Sequence, residues 1–335
     1  MNLKTEYLGL TLRTPLVPSA SPLSESLDNI KRMEDAGAAA VVMHSLFEEH
    51  LSFERHQFPH LIDLRETGYS EALPYCPEMH QLAVGPESYL DEIMAAKAAV
   101  SIPVIASLNG STVGGWTDYA RQIQEAGADA LELNIYWVPT DLQLTGEDVE
   151  RRYLEIVAHV KRTVSIPVAV KLSPFFSNLA NMAKQLVEKG ADGLVLFNRF
   201  FQPDIDLGSL EVTPNIHLSS QVAMRLPLRW IALLYGRLKA DLAATSGIHN
   251  GRDVVKMLMA GADVTMLCSA LIRRGILYIR LVEQELAEWL EDHGYDSVEQ
   301  LKGALSHVKS PNPEAIERAQ YVRGIAMSYR QSQTV

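Results

Sequence analysis

Lys171 is the residue in this chain whose position most needs a chemical explanation. It stands near the end of the apolar run Val168–Leu172 (VAVKL). An amine there must reach the strand's open end or lie unpaired in the core, which is costly. A cation held at that end could stabilise an anion on a bound cofactor or intermediate. A structural lysine snorkelling to solvent is the other reading. Asn134 in ALELNIY and Asn198 in GLVLFN end two more apolar runs, and their amides could hydrogen-bond a flat heterocycle or simply terminate strands. Ser246-Gly247 and Cys268-Ser269 end two others, each followed by a helical pattern. Backbone N–H groups at such helix starts would grip a phosphate, or these are ordinary loop and N-cap residues.

Elements that could bring these positions together are announced by repeats. Gly-Ala-Asp recurs at Gly127, Gly190 and Gly261, with Gly37-Ala38-Ala39 as a variant. Each copy follows an amphipathic stretch and precedes an apolar run. That pattern reads as a helix closed by a left-handed glycine, a short turn and a strand buried on both faces. Ser-Ile-Pro-Val opens two further runs at Ser101 and Ser165, spaced like two of the Gly-Ala-Asp copies. The strand candidates are Leu16–Ser19, Ala39–Ser45, Val104–Asn109, Ala130–Tyr136, Val168–Leu172, Gly193–Asn198, Asp241–Ser246 and Val264–Cys268. Helical patterns lie between and after them, among them Ser219–Leu238, Gly251–Ala260 and Leu271–His293. Strict βα alternation implies parallel strands with right-handed crossovers, and eight units close a (β/α)8 TIM barrel in one domain. An open doubly wound sheet is the alternative, weakened by the lack of a GxGxxG after the first strand.

The expected layout is a barrel over residues 1–310, a long strand-2 to strand-3 insertion at 46–85, and a helical extension at 311–335. Such a long connection often acts as a lid. Its His50, His56, His60, Cys76 and His80 fit no compact ligand spacing, so no metal is expected. In such barrels the chemistry sits at the strand C-termini.

The 335 residues carry 30 Lys and Arg against 41 Asp and Glu, a net charge of −11. An acidic chain argues against nucleic acid or an anionic membrane as partner. Two cysteines, Cys76 and Cys268, make no disulfide framework, and no apolar run is long enough to span a membrane. A cytoplasmic location is expected, with a homodimer left open.

These residues, in this order, resemble the class 1 dihydroorotate dehydrogenase family of flavin-dependent barrels. The stretch GADVTMLCSALIRRG resembles the family's final strand and phosphate turn. TPLVPSAS resembles its opening flavin-contact strand, ALELNIYWVP the strand before the catalytic loop, and VKLSPF the strand of the flavin lysine. The resemblance implies FMN as cofactor, with Lys171 at the N1/O2 edge and Ala20, Ser45, Asn134 and Asn198 along the ring. Ser246, Gly247, Cys268 and Ser269 would hold the phosphate.

The departures fall mainly on the substrate side, although the final phosphate turn also has Cys268 where the family usually has glycine. Where the family has Asn-x-Ser-Cys-Pro-Asn, this chain has Asn134-Ile135-Tyr136-Trp137-Val138-Pro139, so Trp137 takes the place of the base. An indole cannot accept a proton. His44 replaces a strand-2 lysine, a serine becomes Arg199 followed by Phe200 and Phe201, and the family's substrate loop is not recognisable in 46–85. The implied pocket residues are His44, Tyr136, Trp137 and Arg199, with the catalytic base unassigned. The expected function is an FMN-dependent oxidoreductase of pyrimidine-biosynthesis type acting on an anionic small molecule, with altered or weak activity on dihydroorotate. A non-redox phosphate-binding barrel, whether a Schiff-base lyase or aldolase using Lys171 or a degenerate binding protein, is the alternative.

Overall fold

The computed structural model describes residues 1–48, 86–110, 112, 116–199, 202–213 and 217–313. Most of the 46–85 insertion, Phe200, Phe201 and nearly all of the C-terminal extension lie outside them.

Eight parallel strands form the barrel. They are β3 (Leu16–Pro18), β4 (Val41–Phe47), β5 (Val104–Gly110), β6 (Ala130–Ile135), β7 (Val168–Leu172), β8 (Gly193–Leu196), β11 (Asp241–Thr245) and β12 (Val264–Leu267), with a separate antiparallel pair, β9 (Asp204–Asp206) and β10 (Glu211–Thr213), between β8 and β11 in the chain. Their order runs β3-β12-β11-β8-β7-β6-β5-β4, and Ala39 N–H donates to the Leu16 carbonyl at 3.0 Å across the seam. The barrel is thus nearly closed, and the open-sheet alternative falls away. The helices are α1 (Leu27–Asp35), α2 (Pro86–Ala99), α3 (Trp116–Glu125), α4 (Gly146–Thr163), α5 (Leu179–Glu188), α6 (Arg225–Leu234) and α7 (Gly251–Ala260), followed by α8 (Ser269–Arg274), α9 (Tyr278–Asp292) and α10 (Val298–Leu301).

The repeated phrases turn out to be joinery at the end of the barrel away from the strand C-termini. Asp129, Asp192 and Asp263 each accept the N–H of a residue that opens the preceding strand: Val104, Val168 and Leu242, all at 2.7 Å. Each also takes a lysine amine, from Lys97, Lys161 and Lys302 respectively. Ser101 and Ser165 dock their N–H groups on Glu34 of α1 and Gln124 of α3, each one βα unit back in the chain. The glycine is required at Gly261, where φ is +118° and a Cβ would meet the Tyr235 ring at 2.3 Å.

Two helix expectations need correction. The Ser219–Leu238 pattern is helical only over Arg225–Leu234, preceded by a 3-10 turn at Gln221–Met224; Gly236, with φ +72°, lies beyond its end. Leu271–His293 is broken at Gly275, φ +84°, into α8 and α9. Amphipathic spacing continues across both breaks, which is why the period alone does not reveal them.

An N-terminal hairpin, β1 (Thr5–Tyr7) and β2 (Leu10–Leu12), plugs the barrel floor. Tyr7, Leu8 and Leu12 are buried among Val17, Ile105, Val195 and Met266. Room for them comes from Ala130, Ala169, Ala243 and Gly193. A Cβ on Gly193 would stand 2.8 Å from Leu8 Cδ2. Asp241 Oδ2 takes the Leu8 N–H at 2.6 Å. Among the described residues the hairpin thus fills the end of the barrel opposite the strand C-termini.

Candidate active site

At the open end, register sets three polar residues side by side: Asn109 on β5 pairs with Asn134 on β6, and Asn134 with Lys171 on β7. Asn198 follows β8, its backbone N–H held by the Leu172 carbonyl at 2.7 Å. Its amide Nδ2 donates to Asn134 Oδ1 at 2.7 Å. These amides border a cavity of about 870 Å³ whose walls include Tyr136, Phe175, Phe197, Arg199, His217, Arg225 and Ser246. The size and the mixture of aromatic walls with a few polar groups suit a small flat ligand. Arg199 is anchored by donating to the His217 carbonyl at 2.6 Å.

Lys171 stands level with Asn134, but its amine turns down toward Glu132 and does not border the cavity. It is 7% exposed, and its Nζ donates to Glu132 Oε1 at 3.0 Å. Glu132 stands two residues before Asn134 on the same inward face and is fully buried; its Oε2 has no hydrogen-bond partner. Leaving such an oxygen unmatched costs roughly 1–3 kcal/mol or more.

The turn after β11 is the expected phosphate end. Ser246 and Gly247 both have φ +79°, and a Cβ on Gly247 would meet Met224 N at 2.4 Å and the Ser220 carbonyl at 2.8 Å. Only glycine allows this approach. Ser219 ties the two expected anchors together. Its hydroxyl accepts the Gly247 N–H at 3.2 Å and donates to Ser269 Oγ at 2.8 Å, while its own N–H donates to Ser269 Oγ at 3.0 Å. Cys268, the N-cap of α8, has its thiol pushed up by burial, with the charges of Lys171 and Arg199 pulling the other way.

Of the residues singled out in the sequence, the cavity thus gathers Asn134, Tyr136, Asn198, Arg199 and Ser246. The others sit elsewhere. Ala20 packs against the barrel-interior cluster, and Ser45 Oγ bonds Ser107 Oγ at 2.8 Å inside the barrel. His44 falls at a register shift between Val42 and Ser45 that turns it toward α2. There it sits edge-on to Tyr89 and 3.6 Å from Glu92 Oε2. Glu92's carboxyl is pushed up by burial and then by Glu25. Trp137 is half-buried on the outer core under the Arg152 guanidinium, 3.8 Å from the ring centroid, and does not line the cavity. Among the described residues no group of three or more His, Cys, Asp or Glu could hold a metal, and no helix is long and apolar enough to cross a membrane.

Sequence reasoning passed over Glu132, Ser219 and His217, and placed Asn109 at a strand end without giving it a role. Glu132 carried a signal: a carboxylate inside an apolar strand, two residues before Asn134, must share its face. Ser219 and His217 carried none, because they come from the irregular stretch before α6.

The fold and this mouth define a one-domain (β/α)8 barrel with a floor of amides above a buried lysine. The family model for dihydroorotate dehydrogenase matches residues 2–290, and this chain belongs to that family, a family of oxidoreductases. It is 28% identical over 308 residues to the catalytic subunit of dihydroorotate dehydrogenase B (NAD(+)) of Thermoplasma volcanium, covering 90% of this chain and 98% of that one. With the same subunit of Geobacter sp. strain M21 it shares 31% over 229 residues, 66% of this chain and 74% of the relative. It is also 24% identical over 325 residues to the NAD-dependent dihydropyrimidine dehydrogenase subunit PreA of Escherichia coli, 91% of this chain and 77% of that one.

Proposed function

We propose that this chain is an FMN-dependent oxidoreductase acting on a CH–CH bond of a flat, anionic small molecule, with weak or no activity on dihydroorotate. The observation that carries the reading is the Asn109–Asn134–Asn198 amide row over the buried Lys171, at the floor of a cavity of about 870 Å³. The donor set fits a flavin. Amides can bond the ring's polar edge, and a cation below it favours negative charge there.

Bound here, FMN would supply the two-electron acceptor. The chain's own residues orient and enclose. Asn198 fixes the Asn134 amide through the hydrogen bond between them. Ser219 links the phosphate-end anchors. Tyr136 and Phe197 offer flat apolar surface to a substrate ring, and Arg199 with Arg225 offers positive charge to its carboxylate. An ion-paired Lys171 favours this reading over a Schiff-base lyase, whose amine must be free to attack.

Weak dihydroorotate turnover follows from the absence of a base at the family's position, a loss worth about 10²–10⁴-fold. Steady-state assays with dihydroorotate and several acceptors test it. Turnover near ~1–10³ s⁻¹, ordinary for enzymes, would overturn it. A role in pyrimidine metabolism, a cytoplasmic location and assembly as a homodimer belong to the same proposal.

A further inference from the structure

We propose that Glu132 is a positioning residue that neutralises Lys171 and so sets how strongly the site favours reduced over oxidised flavin. The inference rests on the FMN reading above.

Among the described residues the buried charged side chains are Glu132, Lys171, Asp253, Asp263 and Lys302, and only Glu132 and Lys171 stand within barrel strands. They stand on neighbouring strands, where Asn134 pairs with Lys171 and Glu132 with Ala169, so the carboxylate lies one inward-facing step below the lysine. The Nζ–Oε1 contact of 3.0 Å draws the amine down, away from the cavity wall that Asn134 and Asn198 form. The carboxylate's second oxygen, Oε2, is buried and unpartnered. A carboxylate serving packing alone would be better replaced by an apolar residue of similar volume, because a half-satisfied buried ion is expensive. Its consequence at the mouth is electrostatic. The cation beneath the amide row comes with its counter-charge, so a ligand above feels a dipole rather than a full positive charge.

Reduced flavin carries negative charge at the edge expected to face Lys171. Removing Glu132's charge therefore favours the reduced form, and removing Lys171's charge disfavours it. The test is the ratio of affinities for reduced and oxidised FMN, obtained from the midpoint potential of the bound flavin. It is measured for the full-length wild type, Glu132→Gln, Lys171→Met and the double variant. Glu132→Gln is expected to raise the ratio roughly ten-fold or more, since one charge at several ångströms in a protein interior is worth at least that. Lys171→Met lowers it. The double variant returns close to wild type, because each replacement removes one half of a neutral pair.

A purely structural Glu132 would lower the melting temperature and leave the ratio unmoved, and that result overturns the proposal. Should Glu132→Gln fail to fold, the double variant still decides: a ratio far from wild type contradicts neutralisation. Wild-type protein that binds no FMN overturns the parent reading and this inference together. Bound FMN with an unshifted ratio overturns this one alone.

Discussion

Asn198 Nδ2 donates to Asn134 Oδ1 at 2.7 Å, so the residues ending β6 and following β8 clasp each other past the end of β7. The clasp fixes which face each amide turns to the cavity: Asn134 keeps its NH2 free for an acceptor, and Asn198 keeps its carbonyl oxygen for a donor. Asn198→Ala removes the clasp and releases Asn134 to rotate. A typical net hydrogen bond is worth about 0.5–1.5 kcal/mol, so FMN should bind about ten-fold more weakly with little change in melting temperature. Unchanged affinity by fluorescence titration would mean the amides do not face the ring.

Ser219 gives the phosphate end its own test. Its hydroxyl connects Gly247 N–H with Ser269 Oγ. Wild type should bind FMN more tightly than riboflavin, and Ser219→Ala should narrow that preference by weakening FMN alone. A variant that weakens both ligands equally would place the phosphate elsewhere.

Trp137 marks where sequence position and spatial role part. Carried by alignment it stands at the family's base, yet its ring packs outward beneath Arg152. Trp137→Cys is expected not to restore dihydroorotate turnover. It should cost about 1–3 kcal/mol of stability through lost packing and the cation–π contact. A gain in turnover would show that the loop carries the residue over the cavity.

The barrel was legible because its repeats are mechanical. Gly-Ala-Asp recurs since each aspartate must pin the strand before it, and a buried strand between two helices has to read as an apolar run. Asn134, Asn198 and Ser246 were legible as polar residues at the ends of such runs. His44 was misleading for a physical reason: a register shift in β4 turns it to the helix layer, and no residue type announces that shift. Tyr7 was illegible because three-residue strands carry too little alternation to detect.

The joinery also predicts a pH dependence. Burial pushes Asp263 up to about 6, although the Leu242 N–H and Lys302 pull it down. Its folded value therefore lies above the unfolded one near 3.8. The folded state holds the proton more tightly, so this group favours folding below about pH 4 and loses that contribution as pH rises to about 6. Asp263→Asn removes the titration, so the variant's stability relative to wild type should rise between pH 4 and 7, by roughly 2–3 kcal/mol at most. Parallel stability curves would show that Asp263 does not titrate there.

The central claim is that the amide row and buried lysine form a flavin seat, and ligand binding by the purified protein tests it most directly. The full-length protein is expected to be yellow as isolated, or to take up FMN stoichiometrically with a rise in melting temperature, and Lys171→Ala to bind FMN more weakly and reduce it less readily. A colourless protein whose melting temperature does not move when FMN is titrated would contradict the account.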